Sequence, residues 1–164
     1  MLHYYHGTKE ELFNKVFDKK LQLLNNSFSN VFEKNMPFLD KVKLTIETHF
    51  DFFATNPELP LFILKEVMAN PDRKTMFIEL FTPKVKKILS LLGKEMEDEI
   101  KKGTIRNISP AKLLLNIGSI NTTSILALTI MSDVSNYKST KKENALLQKQ
   151  KAENVEFILK GISP

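Results

Sequence analysis

Few side chains in this sequence stand in the patterns that acid–base or metal chemistry requires. The 164 residues include three histidines and no cysteine, which excludes a thiol nucleophile, a disulfide framework and a cysteine-ligated zinc site. No histidine stands in Glu-x-x-His or His-x-x-x-His spacing, so the ligand sets of di-iron bundles and helical zinc enzymes are missing. The glycine motifs of nucleophile elbows and phosphate loops are also missing. We therefore expect no enzyme activity, no catalytic residue and no bound metal or cofactor.

Two features remain as candidates for catalysis. The acidic run at residues 95–99 has lysines on both sides, which favours a solvated helix face with ion pairs. His49 lies on an apolar helix face, where it is either a core histidine with a hydrogen-bond partner or the polar anchor of a ligand. A small helical-bundle enzyme that uses His49 or an acid pair is therefore possible from the residue types but is the least favoured hypothesis.

The elements that must position these residues are helices. The chain is 42% hydrophobic and 26% charged, as in one soluble domain. Its apolar residues recur at helical spacing with no alternating runs, which predicts an all-α fold. A capping box, Thr8-Lys9-Glu10-Glu11, opens the first helix, and the pairs Asn56-Pro57, Asn70-Pro71 and Ser109-Pro110 open later ones. We expect the helix after Asn70 to bend or break near Pro83.

One stretch raises the question of a membrane. Residues 113–132 carry no charge and are long enough to span a bilayer, but eight of these 20 are Asn, Ser or Thr. That content favours a helix buried in a bundle or a dimer. The N-terminus has no basic region followed by an apolar run, so we expect no signal peptide and a cytoplasmic protein. The net charge of +5 comes from residues 101–164 and forms no basic stripe typical of nucleic-acid binding.

Residues 2–13 carry a resemblance to a known family. They read Leu-His-Tyr-Tyr-His-Gly-Thr-Lys-Glu-Glu-Leu-Phe, which resembles the Leu-Tyr-Tyr-Tyr-Phe-Gly-Ser-Lys-Glu-Glu-Leu-Phe motif of TetR-family transcriptional regulators. In that family the motif joins the recognition helix of the helix-turn-helix to the next helix. Further similar landmarks are Asn56-Pro57-Glu58-Leu59, the segment 103–110 before a long apolar helix, and the segment 157–161 near the end.

The resemblance implies two regions. Residues 1–7 would be the remnant of a recognition helix, in which His3, Tyr4 and Tyr5, together with Lys9, contact DNA phosphates. Residues 8–164 would form an effector-binding and dimerisation bundle, with a connecting helix at 8–34 and dimerisation helices at 109–132 and 142–160. Since the sequence starts after both DNA-reading helices, we expect specific operator binding only from a full-length protein.

The bundle supplies candidates for an effector pocket and for a dimer interface. A small apolar or aromatic effector would lie among aromatic and apolar side chains and a few hydrogen-bonding groups. The pocket candidates are Ile46, His49, Phe50, Phe53, Phe62, Met68, Phe77, Phe81, Asn116, Ser119, Thr122 and Thr123. The homodimer candidates are Ile117, Ile120, Ser124, Leu128, Ala152, Val155 and Leu159.

Together these features predict a ligand-responsive regulator, with repression favoured over activation. An effector that prefers one helix arrangement would change the separation of the two DNA-reading heads. The main alternative is a ligand-binding dimer without DNA-reading heads that sequesters related regulators.

Overall fold

The computed structural model describes residues 9–32, 34–134 and 140–164. Over these residues the chain is all-α, as predicted, and contains no strand. The six helices are α1 (Lys9–Phe32), α2 (Phe38–Ala54), α3 (Leu59–Ala69), α4 (Pro71–Lys101), α5 (Pro110–Val134) and α6 (Thr140–Ile162).

Helix α2 lies at the centre of the bundle. It packs against α1, α4, α5 and α6, and its apolar stripe supplies Val42, Ile46 and Phe50, each exposed by 1% or less. Burial of one such side chain stabilises the fold by about 2 kcal/mol. The 3.6-residue spacing of this stripe is therefore what fixes α2 inside its neighbours.

The helix ends show where local sequence rules hold. The Asn70 side chain caps α4 by accepting hydrogen bonds from the backbone amides of Asp72 at 2.9 Å and Arg73 at 3.3 Å. Ser109 caps α5 in the same way through the amide of Lys112. The predicted cap at Asn56 is wrong: its amide donates back to the Phe52 carbonyl at 2.7 Å, so this side chain closes α2 instead of opening α3.

The long helix α4 continues through Pro83 without a break, so the alternative of two separate helices is wrong. Pro83 removes one amide donor from the helix, and the carbonyl four residues earlier belongs to Glu79. Both residues are exposed, so water can satisfy the carbonyl that loses its partner. The predicted end of the helix at Gly103 is confirmed, since Gly103 has a φ of 71°, which glycine adopts without steric cost.

The uncharged helix α5 has one buried side and one exposed side. Among the described residues, Pro110–Met131 is the one helical span long and apolar enough to cross a membrane, and 22% of its most apolar window is buried. The same length and composition also suit a core helix, and α5 packs against α2, α4 and α6. The other side of α5 carries apolar side chains that the single chain leaves at least 60% exposed: Leu115, Ile130 and Met131.

The segment between α4 and α5 is tied to the end of α6. The Arg106 backbone amide donates to the Ile162 carbonyl at 2.9 Å, and its guanidinium donates to the Gly161 carbonyl. A cation at the carboxyl end of a helix also compensates the helix dipole. These contacts hold α6 against the start of α5.

Candidate functional site

A cleft of about 620 Å³ lies between α2, α4 and α5. Its volume falls within the range of small-molecule sites, and most of its wall is aliphatic. The described residues that line it are Thr45, His49, Phe81, Lys84, Val85, Ile88, Leu89, Ala111, Leu114, Leu115, Ile117, Gly118, Ser119, Thr122 and Thr123.

His49 is a deeply placed polar group of this wall, with 9% of its surface exposed. Its Nδ1 lies 3.4 Å from Nδ2 of Asn121, and its ring lies 4.8 Å from the Phe53 ring. Burial lowers the pKa of the imidazole from 6.5 to about 4. At neutral pH the ring is therefore uncharged, and an Nδ1 that accepts from an amide leaves the ring proton on Nε2.

A chain of buried amides connects this part of the cleft to α6. Asn121 is fully buried and its Nδ2 also donates to the Ile46 carbonyl at 2.9 Å. Its Oδ1 accepts from Nδ2 of Asn154 on α6 at 2.9 Å. Asn154 also hydrogen-bonds to Ser124, and its Oδ1 accepts from Nε2 of Gln150 at 2.9 Å. Because both hydrogens of the Asn121 amide point toward α2 and its oxygen toward α6, one residue holds three helices in register.

Lys84 brings a positive charge to the cleft. It stands on α4, and its Nζ lies 3.7 Å from Oδ1 of Asp18 on α1. The two side chains are 23% and 36% exposed, so the pair lies at the edge of the bundle. This distance is longer than a direct hydrogen bond.

Of the predicted pocket residues, five line the cleft: His49, Phe81, Ser119, Thr122 and Thr123. The others lie elsewhere. Ile46 is in the main core, and Phe50 and Phe53 form a second core cluster with Ile125.

The remaining pocket candidates are spread over other surfaces. Phe77 stacks on Phe81 with ring centroids 5.1 Å apart and does not itself line the cleft. Phe62 and Met68 on α3 are 39% and 76% exposed, and Asn116 is partly buried outside the cleft.

Several lining residues were missed by the sequence patterns. Lys84 and the aliphatic residues Val85, Ile88 and Leu89 come from the middle of α4, and Thr45 comes from α2. The spacing of Phe81, Val85, Ile88 and Leu89 at four, three and one residues is the helical period. That signal marks one face of α4, but it does not separate a cleft wall from a core.

The predicted dimer residues divide by their burial within the single chain. Ile117 and Val155 are 2% and 8% exposed and lie in the main core, so they are already covered. Ile120, Ser124, Leu128 and Leu159 are partly buried, and Ala152 is exposed. Phe157 on α6, which is not among the predicted dimer residues, is 68% exposed.

The predicted DNA-contacting residues lie at the start of the chain. His3, Tyr4 and Tyr5 fall outside the described residues, as does Thr8 of the capping box. Lys9 is the first residue of α1.

The acidic run 95–99 lies on α4, and none of its residues lines the cleft. Glu95 pairs with Lys41 of α2 at 2.8 Å, and Glu99 pairs with Lys102 at 2.8 Å, a hydrogen bond that lowers the pKa of Glu99. Over the described part of the chain, no group of three acidic, histidine or cysteine side chains is arranged to hold a metal ion. The predicted ion-paired face is confirmed for Glu99 and for Asp98, which lies 3.9 Å from Lys101, whereas Glu95 pairs with a lysine of another helix and joins α4 to α2.

Comparison with known proteins points to gene regulation. No protein-family model matches the chain. A curated relative, "Uncharacterized HTH-type transcriptional regulator YhgD" of Bacillus subtilis (strain 168), is 29% identical over 103 residues, which cover 62% of this chain and 52% of the relative. The chain thus spans about half the length of that relative, and it is similar to part of a helix-turn-helix transcriptional regulator.

Proposed function

We propose that this chain is the effector-binding and dimerisation part of a TetR-type transcriptional regulator in the cytoplasm. The observation that carries the proposal is the cleft between α2, α4 and α5, because an apolar cavity of about 620 Å³ with a few hydrogen-bonding groups is what a small-molecule effector requires. The similarity to a helix-turn-helix regulator and the TetR-like motif at residues 2–13 support the same assignment.

The dimer surface would be the outer side of α5 and α6. Ser124 and Asn154 join the two helices, and residues three positions later, Ala127 and Phe157, are both exposed. The exposed apolar side chains Ile130 and Met131 extend this face along α5. Pairing with a second copy through a four-helix bundle would remove this surface from water.

The buried amide hydrogen bonds would transmit the effect of effector binding to the dimer surface. His49 lies in the cleft wall, Asn121 contacts it, and Asn154 connects Asn121 to α6. A ligand that moves His49 or α5 therefore acts on the helices that would set the separation of two DNA-reading heads.

The cleft is tested by filling it. Gly118 lines the cleft, and a Cβ at this position meets no atom within 4 Å. The Gly118→Leu variant should place its side chain in the cleft and abolish binding of the neutral fluorophore N-phenylnaphthylamine. Gly161→Leu is the matched control, because Gly161 also has open space and lies away from the cleft. Equal binding by Gly118→Leu and the wild type would refute the cleft as the effector site.

The dimer surface is tested by sedimentation. Phe157→Glu should convert a dimer to a monomer at micromolar protein, because a buried unpaired carboxylate in an apolar interface is strongly unfavourable. Met68→Glu is the control, since Met68 is also an exposed apolar residue but lies on α3. A wild-type chain that sediments as a monomer at that concentration would refute this part of the proposal.

A further inference from the structure

We propose that the cleft selects an amphiphile with a single negative charge, such as a carboxylate on an apolar body, and that Lys84 recognises the charge. This inference rests on the proposed function, because it names the chemical class of the effector for the same cleft. Three features of the wall carry it: the sign of its charge, the arrangement around Lys84, and the chemistry of the remaining surface.

The first feature is the sign of the charge. Lys84 is the one formally charged residue among the described residues that line the cleft, and none of the others is a carboxylate. A cation beside a largely apolar wall attracts an anion more strongly than it would in bulk water, since the local dielectric constant is lower. A cationic ligand would be repelled, and a neutral one would gain nothing from this residue.

The second feature is the weak engagement of Lys84. Its carboxylate partner, Asp18, lies at 3.7 Å and is 36% exposed. An ammonium group has three donors, and a pair at this distance does not use them in a direct hydrogen bond. A ligand carboxylate at the edge of the cleft can therefore take a charge-assisted hydrogen bond from Lys84 without breaking a close internal ion pair.

The third feature is the rest of the wall. Ile88, Leu89, Leu114 and Leu115 present aliphatic surface to the cleft, which suits an alkyl or aryl body. The other polar groups are hydroxyls and the imidazole of His49, which is uncharged at neutral pH because burial lowers its pKa to about 4. With one cation in the wall, a single negative charge on the ligand is matched and a second would be desolvated without a partner.

The test compares two probes that share an alkyl chain and differ in charge. Decanoate and decanol are titrated against the full chain carrying bound N-phenylnaphthylamine, and decanoate is also titrated alone by calorimetry. Lys84→Met keeps the aliphatic part of the side chain and should lower the affinity for decanoate about tenfold, which is ~1.4 kcal/mol. The affinity for decanol should change less than about twofold. Asp18→Asn should strengthen decanoate binding, because it leaves the Lys84 charge uncompensated.

Two further variants control for folding and for general surface charge. Lys84→Arg retains the charge and should keep the preference for decanoate. Lys86→Met removes a charge from an exposed position on the same helix and should leave both probes unchanged.

The possible failures are distinguishable. If the fluorophore and decanol bind but decanoate is unaffected by Lys84→Met, the charge assignment is overturned and the proposed function stands. If Lys86→Met weakens decanoate as much as Lys84→Met, the effect is general electrostatics and the assignment is again overturned. If the wild type binds neither the fluorophore nor decanoate, the cleft is not an effector site and both proposals fail.

Discussion

Acidification should destabilise this chain through His49. The imidazole is uncharged in the folded state because burial lowers its pKa to about 4, whereas its ordinary pKa is 6.5. Between these two values the unfolded chain binds a proton that the folded chain does not. The stability contributed by the neutral ring is therefore complete above pH 6.5 and is lost as the pH falls toward 4.

The size of the effect follows from the two pKa values. Lowering the pH from 8 to 5 protonates His49 almost completely in the unfolded chain and only slightly in the folded chain, which reduces the free energy of unfolding by ~2 kcal/mol. Below pH 4 the loss approaches ~3 kcal/mol. The Asn121 amide also disfavours protonation of His49 in the folded chain. Its Nδ2 faces the His49 Nδ1, and a protonated Nδ1 would place two donors against each other.

The assay is urea unfolding of the wild type and of His49→Gln at several pH values. Other groups titrate equally in both proteins, so the difference between the two unfolding free energies isolates His49. That difference should shrink by about 2 kcal/mol between pH 8 and pH 5. A difference that stays constant over this range would refute the reasoning, because His49 would then have the same proton affinity in the folded and unfolded chains.

Three other substitutions should lower stability through contacts in the structure, each measured by urea unfolding. Asn70→Ala removes the acceptor for two backbone amides of α4 and should lower the free energy of unfolding by ~1 kcal/mol, whereas Asn70→Asp keeps an acceptor and should retain the wild-type stability. An Asn70→Ala variant as stable as the wild type would show that the cap contributes nothing. Gly103→Ala forces a φ of 71° on a residue with a Cβ and should cost ~1 kcal/mol, with no loss expected for Gly161→Ala. Asn154→Ala leaves the buried Oδ1 of Asn121 without its donor and should lower the free energy of unfolding by ~2 kcal/mol. If the two side chains are coupled, the double variant Asn121→Ala/Asn154→Ala should lose less stability than the sum of the two single variants, and additive losses would contradict the coupling.

Much of the secondary structure was predictable because it depends on neighbours within about four positions. The caps at Asn70 and Ser109, the end of α4 at Gly103 and the buried stripe of α2 all have a local cause. The cap at Asn56 was the failure, and at Pro83 the structure excludes a break in the helix. The Asn56 side chain donates to the Phe52 carbonyl and accepts from Lys20 on α1, and Pro83 was tolerated because the helix face that carries it is exposed.

The cleft was less predictable. His49, Phe81 and the hydroxyls at positions 119, 122 and 123 were selected because they are polar or aromatic on apolar helices. Phe50 and Phe53 were selected for the same reason and lie in a core cluster. A phenylalanine at helical spacing has the same sequence signature in a core and in a cavity wall, and the difference lies in what the neighbouring helix places opposite it.

By itself, the sequence determined that the chain is helical and where most helices begin and end, because these properties depend on residue type and short spacing. Only the tertiary structure decided that the middle of α4 meets α2 and α5 across a cleft, that Lys84 contributes a charge to it, and that Asn121 connects His49 to α6. These contacts join residues on different helices, far apart in the sequence, and their geometry depends on how whole helices cross. No periodicity within one helix contains that information.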